Sequence, residues 1–128
     1  MTTTEQKAMK IVMKYERKRG KEPRDVSRTK CGYDIKSGTR CIEVKGKGQD
    51  GKPPQWINLY KKVISKLGKN IMKYYIYVVY DVNKNKGKPQ LVIIPPKIVL
   101  SNLEVDTNFI LHPKRILKKY KEIKPIPV

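Results

Sequence analysis

Residues 33–46 read Y-D-I-K-S-G-T-R-C-I-E-V-K-G, and the rest of the chain is organised around this stretch. The side chains of Tyr33–Ile35 and Cys41–Lys45 alternate in character, as they do on the two faces of a pleated strand. Between them, Gly38-Thr39 suits a two-residue hairpin loop whose first residue is glycine. The stretch therefore predicts two short antiparallel strands joined by a tight turn.

This register places two acids side by side. Asp34 lies directly across from Glu43, with the two Cβ atoms about 5 Å apart on one face. Two carboxylates at this distance repel each other, and a divalent cation between them removes the penalty. Lys45 follows on the same face and can hold a water or a developing phosphate charge, so the set predicts a metal-dependent phosphodiesterase site. The other face carries the residues expected in the core: Ile35, Ile42 and Val44.

The charge balance indicates what the protein binds. The chain has 128 residues, which suits a single domain, 1–128, with one core. Its 30 Lys and Arg against 11 Asp and Glu give a formal net charge of +19. An excess of this size suits a polyanion such as nucleic acid. An anionic membrane is the weaker alternative, because no apolar run approaches the roughly 20 residues of a spanning helix.

The N-terminus and the cysteines indicate the compartment. The first residues are polar and no apolar segment follows them, so we expect no signal peptide. The two cysteines, Cys31 and Cys41, make neither a disulfide framework nor a zinc set. In the hairpin register Cys31 lies across from residue 46, so no bridge to Cys41 is expected. We therefore expect a reducing, cytoplasmic location.

Hydrophobic patterning predicts an α/β fold with a mixed central β-sheet flanked by helices. Residues 4–19 have helical periodicity, with Thr4 as the cap and Gly20 as the end. Tyr74–Val82 is β-branched and aromatic nearly throughout, as in a central strand buried on both faces. A core is expected over about 4–100, and a basic helix and tail over 113–128. The remaining predicted elements are an edge strand in 23–28, a helix over 58–68, a strand Leu91–Ile94 and a helix at about Pro113–Lys121.

Four further side chains have two interpretations each. Glu16 borders the apolar face of the first helix, either as an ion-pair partner for a nearby Lys or Arg or as a further carboxylate of the metal site. Asp25 is expected at a turn or strand end rather than in the site. His112, the only histidine, is expected to be structural rather than a general base, and Trp56 is expected to fill the core rather than stack on a base.

Lysines flank the predicted site. The glycine-rich loop 46–54 carries Lys47 and Lys52, and its glycines would let the backbone approach a phosphate closely. The outer face of the helix predicted over 58–68 carries Lys61 and Lys62 and almost no acidic residues. We expect these four lysines to contact phosphates, and a solvated surface is the alternative.

The order of these elements resembles the PD-(D/E)XK nuclease superfamily: helix with Glu, strand with Asp, turn, strand with Glu-x-Lys, helix, hydrophobic strand. Within it, the chain is similar to the NO VEIN C-terminal type of domain, found in many restriction and defence proteins. The resemblance covers about residues 8–100. The motifs that carry it are Y15-E16, R19-G20, D25-V26-S27, G32-Y33-D34-I35, I42-E43-V44-K45-G46 and Y75-x-Y77-V78-V79.

The resemblance implies a role for each residue of the site. Asp34 and Glu43 would be metal ligands, with the Val44 carbonyl completing the cage around Mg2+ or Mn2+. Lys45 would be the catalytic lysine, and Glu16 the helix carboxylate that some branches of the superfamily use.

The sequence thus predicts a Mg2+-dependent endonuclease acting on DNA, in restriction, defence or repair. A non-cleaving DNA-binding or architectural protein is the alternative, in which the acids are remnants. An RNA-binding module is disfavoured because no aromatic platform has the right motif. Nucleases that cut both strands often pair, so a homodimer is left open.

Overall fold

The computed structural model describes residues 3–48, 52–55, 57–59, 64, 67–83, 88–105 and 109–128. Within these ranges the chain forms two β-sheets with helices packed around them. The helices are α1 (Thr4–Lys18), a 3-10 helix (Gly68–Lys73), α2 (Pro96–Asn102) and α3 (Pro113–Lys119). The strands are β1 (Arg24–Asp25), β2 (Ile35–Ser37), β3 (Arg40–Gly46), β4 (Ile57–Leu59), β5 (Tyr74–Tyr80), β6 (Gln90–Ile94), β7 (Glu104–Val105), β8 (Phe109–Leu111) and β9 (Ile126–Pro127).

The larger sheet confirms the predicted α/β fold with a mixed central sheet. Its six strands run in the order β1-β2-β3-β5-β6-β9. The β3–β5 pair is parallel, and the other pairs are antiparallel. β5 lies in the middle and is buried almost throughout, as its composition predicts. The strand predicted over Leu91–Ile94 is β6, the antiparallel partner of β5.

Each face of this sheet covers a separate part of the core. One face packs against α1 through Ala8 and Val12, which meet a cluster that includes Ile42 and Tyr77. The other face packs against α2, α3 and the smaller sheet, whose strands run in the order β4-β8-β7. No helix of the described ranges is long and apolar enough to cross a membrane.

Helix α1 begins at Thr4, the first residue of the predicted range 4–19, but its cap lies one residue earlier than predicted. The N-cap is Thr3, not Thr4, because the Thr3 side chain accepts from the backbone of Gln6 while the Gln6 side chain accepts from that of Thr3. This reciprocal pair is a capping box, which satisfies two donors of the first turn. Gly20 follows the helix with φ +79°, the left-handed conformation expected just past a helix end.

The helix predicted over 58–68 is wrong at its start. Residues Ile57–Leu59 form β4, in which Ile57 and Leu59 are buried and Asn58 is exposed. This alternation fits a strand with one buried face, and antiparallel pairing with β8 stabilises the strand. The rest of the predicted helix, apart from Ile64, Leu67 and Gly68, lies outside the described residues, as does Trp56.

The C-terminal part of the chain adds four elements that the sequence did not predict, namely α2, β7, β8 and β9. Pro95-Pro96 ends β6, as predicted, but also begins α2. The proline-rich end of the chain forms β9, which pairs with the outer side of β6. A proline is tolerated in a strand at a sheet edge, where its missing N–H faces away from the ladder.

Candidate active site

The hairpin of β2 and β3 has the predicted register. Ile35 pairs with Ile42 and Ser37 pairs with Arg40, so Gly38 and Thr39 form the loop. Gly38 has φ +57°, a conformation that glycine adopts without strain. The first strand is nevertheless Ile35–Ser37 rather than the predicted Tyr33–Ile35, because regular pairing stops where Asp34 begins.

A β-bulge at Asp34 causes this change. The Asp34 N–H donates to the carbonyl of Ile42 at 2.9 Å, although Ile42 is already the partner of Ile35. Two residues of one strand therefore face a single residue of the other, which defines a bulge and turns the side chain there. The Asp34 carboxylate reaches the neighbouring strand, where its Oδ2 accepts from the Val44 N–H at 2.9 Å.

The two predicted acids lie in contact. The carboxyl groups of Asp34 and Glu43 are within hydrogen-bonding contact of each other. The Lys45 ammonium lies on the same face, with Nζ 3.3 Å from Glu43 Oε2. Glu43 is 17% exposed and Lys45 27%, so the group is half-buried and open on one side. The structure thus brings together the three residues that the sequence predicts.

Burial changes the protonation of this pair. Burial, followed by the negative charge of Asp34, raises the pKa of Glu43 from 4.5 to about 7, and the Lys45 charge opposes the shift. Burial also raises the pKa of Asp34, and the hydrogen bond from the Val44 N–H opposes that rise. Near neutral pH the Glu43 carboxyl group therefore carries a proton for part of the time.

The donor set fits a hard divalent cation. Two adjacent carboxylates that repel each other when ionised form a place where such a cation is stabilised. The N–H and C=O of one strand residue point to the same side, so the Val44 carbonyl faces the edge where the Asp34 carboxylate lies. The described ranges contain no group of three or more His, Cys, Asp or Glu that could hold a metal. Mg2+ commonly takes only one or two protein carboxylates, and waters or substrate phosphates fill the other positions.

The acids open into a cleft of about 930 Å3 between α1 and the β1–β3 side of the sheet. Three cationic side chains line it that the sequence did not single out: Lys10 and Arg17 on α1, and Arg28 after β1. Lys10 and Arg17 are seven residues apart and so share a helix face, but the sequence does not reveal that this face borders the acids. The other residues that line the cleft are Thr3, Glu5, Gln6, Met9, Met13, Asp25, Ser27, Asp34, Glu43, Val44, Lys45 and Gly46.

Glu16 is not part of this cluster. It is 1% exposed, accepts a hydrogen bond from the Tyr77 hydroxyl at 3.1 Å, and has Oε2 3.7 Å from Arg19 Nη1. Tyr77 pairs with Val44 and so points to the face opposite Glu43. The prediction that Glu16 reaches the metal pair is therefore corrected, and its interpretation as an ion-pair partner on α1 is confirmed. A residue bordering the apolar face of a helix can contact either neighbour, and only the tertiary packing decides.

The lysines of the predicted phosphate-binding surface are only partly described. Lys47 and Lys52 are exposed, and their role stays a prediction. Lys61 and Lys62 lie outside the described residues. The glycine at the start of this loop serves packing: a Cβ on Gly46 would lie 2.8 Å from the Ala8 Cβ, so Gly46 lets β3 approach α1.

The remaining candidates have the structural roles that the sequence predicts. The Asp25 carboxylate accepts from the Ser27 N–H at 3.0 Å and from its hydroxyl at 2.6 Å, although it also lines the cleft. The His112 ring contacts the Gln55 carbonyl and the Glu104 carboxylate, so both ring nitrogens have partners. Both cysteines are free thiols.

The raised pKa of Glu43 gives an expected pH dependence of stability. Between pH 4.5 and about 7 the unfolded chain loses the Glu43 proton while the folded protein retains it. Stability is therefore lost as pH rises through this window, and Glu43→Gln removes the loss. We expect Glu43→Gln to raise the free energy of unfolding by about 1–3 kcal/mol at about pH 8 and by much less at about pH 5. Urea unfolding at both pH values measures this difference.

Asp25→Asn is the matched control, because the hydrogen bonds from Ser27 lower the pKa of Asp25. A lowered pKa stabilises the folded protein above the ordinary value of 3.8, so Asp25→Asn should lose stability at neutral pH. A Glu43→Gln variant that is less stable than the parent at about pH 8 would contradict the described electrostatics of the pair.

A family model describes most of this chain. The model for the C-terminal domain of Protein NO VEIN matches residues 4–94, which include α1, the hairpin, β5 and β6. No curated protein matches the chain. The matched residues contain the acids, the lysine and the α1 wall of the cleft, and the match spans well over half of the sequence. The chain is therefore a member of the NO VEIN C-terminal domain family.

Proposed function

We propose that this domain is a Mg2+-dependent endonuclease of the PD-(D/E)XK type that hydrolyses phosphodiester bonds in DNA. One observation carries the proposal: the Asp34 and Glu43 carboxyl groups are within hydrogen-bonding contact, with Lys45 Nζ 3.3 Å from Glu43 Oε2, in a cleft whose lining also includes Lys10, Arg17 and Arg28. A protein that only binds DNA gains nothing from two adjacent acids on its binding surface, because they repel phosphate.

Each residue of the site has a distinct task in this proposal. Asp34, Glu43 and the Val44 carbonyl hold the cation, and the hydrogen bond from the Val44 N–H keeps the Asp34 carboxylate in place. When bound, the cation would supply Lewis-acid polarisation of the scissile phosphate and would lower the pKa of a water. Lys45 orients the attacking water and stabilises the charge that develops on the phosphate oxygens.

The cationic walls of the cleft position the DNA. Lys10 and Arg17 on α1 and Arg28 after β1 are exposed and line the same cleft as the acids. Their charges suit consecutive phosphates along a backbone, and contacts of this kind fix the orientation of DNA without reading its sequence. Lys47 directly follows β3 and would provide a further phosphate contact beside Lys45.

A non-cleaving DNA-binding protein is the second candidate, and the Lys45–Glu43 ion pair favours it. Lys45 already compensates the Glu43 charge, so the acids can be accommodated without a metal. Incubation of the protein with labelled linear, branched and supercoiled DNA, with and without Mg2+ or Mn2+, separates the two candidates. Cleavage that requires the metal supports the nuclease, and metal-independent binding without any cleavage supports the second candidate.

DNA binding should depend steeply on salt. Each neutralised phosphate contributes about −0.9 to the slope of log affinity against log salt on duplex DNA, so three cleft cations alone give about −2.7. Arg17→Ala should flatten the slope by about one contact. Fluorescence anisotropy at several salt concentrations, in a chelator that prevents cleavage, measures both values.

Lys97→Ala is the control for this measurement, because Lys97 is an exposed cation on α2 that does not line the cleft. It should leave the slope unchanged. A slope near zero for the parent protein would remove the nucleic-acid proposal, and equal slopes for Arg17→Ala and the parent would remove the cleft as the binding surface.

A further inference from the structure

Tyr74, the first residue of β5, carries a buried hydroxyl group for which the described residues offer no partner. The residue is 1% exposed, and its Oη has no hydrogen-bond partner within the described part of the chain. Buried polar side-chain atoms in folded proteins are nearly always hydrogen-bonded, and each exception requires an explanation. One explanation is a partner that arrives in another state of the molecule.

The strand register places this hydroxyl on the face that carries the acids. Tyr74 pairs with Cys41, and Glu43 lies two residues further along β3, on the same face as Cys41. Diagonal neighbours on adjacent strands are within reach of an aromatic side chain. Burial, followed by the negative charges of Glu43 and Asp34, raises the pKa of Tyr74. The hydroxyl group therefore lies within electrostatic reach of both acids.

We propose that Tyr74 is a positioning residue of the metal site, whose hydroxyl donates a hydrogen bond to the Glu43 carboxylate when a divalent cation is bound. This inference rests on the proposed function, because it assigns the buried donor to the proposed metal ligand. A carboxylate that binds a metal keeps further lone pairs, and a donor behind it fixes its orientation. Tyr74 is a buried donor on the acid-bearing face that has no other described partner.

Tyr74→Phe tests the proposal, because it removes the hydroxyl and keeps the ring in the core. The matched control is Ser37→Ala. Ser37 carries the other buried hydroxyl without a described partner, but it lies on the opposite face with Ile35. Both substitutions remove a buried polar atom that has no hydrogen-bond partner among the described residues. Without metal, neither variant should therefore melt below the parent.

Isothermal titration calorimetry with Mn2+ alone measures the metal affinity of the protein without DNA. A purely structural role of Tyr74 would leave this affinity unchanged. We expect Tyr74→Phe to weaken Mn2+ binding about tenfold or more, as removal of a donor behind a metal ligand does. Ser37→Ala should bind Mn2+ as tightly as the parent. With saturating metal and DNA, Tyr74→Phe should lower kcat while KM for DNA stays the same, because the hydroxyl does not contact the substrate.

The outcomes separate this proposal from the proposed function. If the parent protein binds Mn2+ and Tyr74→Phe binds it with the same affinity, the positioning role is overturned and the nuclease proposal stands. If the parent binds no Mn2+, the metal site itself is wrong and the positioning role falls with it. If Tyr74→Phe unfolds while Ser37→Ala stays folded, the proposal is also overturned. That result would mean that the hydroxyl already makes a stabilising bond in the free protein.

Discussion

Asp34→Asn and Glu43→Gln are each expected to lower DNA cleavage by roughly three orders of magnitude or more, while DNA binding stays equal or becomes tighter. A bound metal stabilises transition-state charge by several kcal/mol, and each 1.36 kcal/mol corresponds to a factor of ten. Both substitutions keep the shape of the side chain and remove its charge, so the fold is retained. Removal of an acid also lowers repulsion from phosphate, which favours DNA binding even as the cation is lost.

Asp25→Asn is the control for this experiment. Asp25 lines the same cleft, but its carboxylate is bonded to Ser27, so the substitution removes the same charge without removing a proposed ligand. It should cleave at nearly the parental rate. Single-turnover cleavage of labelled DNA and anisotropy in chelator measure the rate and the affinity. Parental rates in both Asp34→Asn and Glu43→Gln would show that the proposed site is wrong.

Lys45→Ala is expected to lower kcat by about a hundredfold or more, with a much smaller loss of DNA affinity. A lysine that acts on developing charge supplies an interaction made mainly in the transition state. One that only holds the backbone would weaken binding and leave the maximal rate unchanged. Rates at saturating DNA, together with separate binding measurements in chelator, distinguish these two effects.

Lys10→Ala provides the comparison for Lys45→Ala. Lys10 lies on the α1 wall of the same cleft and is proposed to contact only phosphate. We expect weaker binding and an unchanged maximal rate. If the affinity loss of Lys45→Ala fully explains its loss of cleavage, Lys45 is one more backbone contact and the assignment of its catalytic role fails.

Local pattern was sufficient to predict the centre of the fold. The alternation in β3, together with a glycine loop that allows one register, placed Asp34 beside Glu43 and Lys45. The aromatic and β-branched run of β5 predicted a buried central strand, because few other environments suit so many such side chains. These features depend on neighbouring residues, so the local sequence pattern is enough to predict them.

The features that the sequence did not reveal depend on contacts between distant segments. Ile57–Leu59 is a strand because β8 pairs with it, 50 residues or more further along the chain. The bulge at Asp34 is the one local exception: it involves a hydrogen bond to Ile42 within the hairpin, which the alternation of the strands does not reveal. The side of α1 that faces the acids, and the burial of Glu16 against Tyr77, are set by how the helix packs on the sheet. Periodicity identifies a helix face but does not identify its neighbour.

The parallel pairing of β3 with β5 has a consequence for how the protein folds. Paired residues in the hairpin are three to seven positions apart, whereas paired residues in the β3–β5 ladder, such as Cys41 and Tyr74, are 33 apart. Closure of long loops precedes the gain from such pairing, so non-local contacts form late and slow the folding rate. The hairpin is therefore expected to form first, with its two acids still in water. Docking onto β5 then buries them, so the electrostatic penalty of the site falls on the later step of folding.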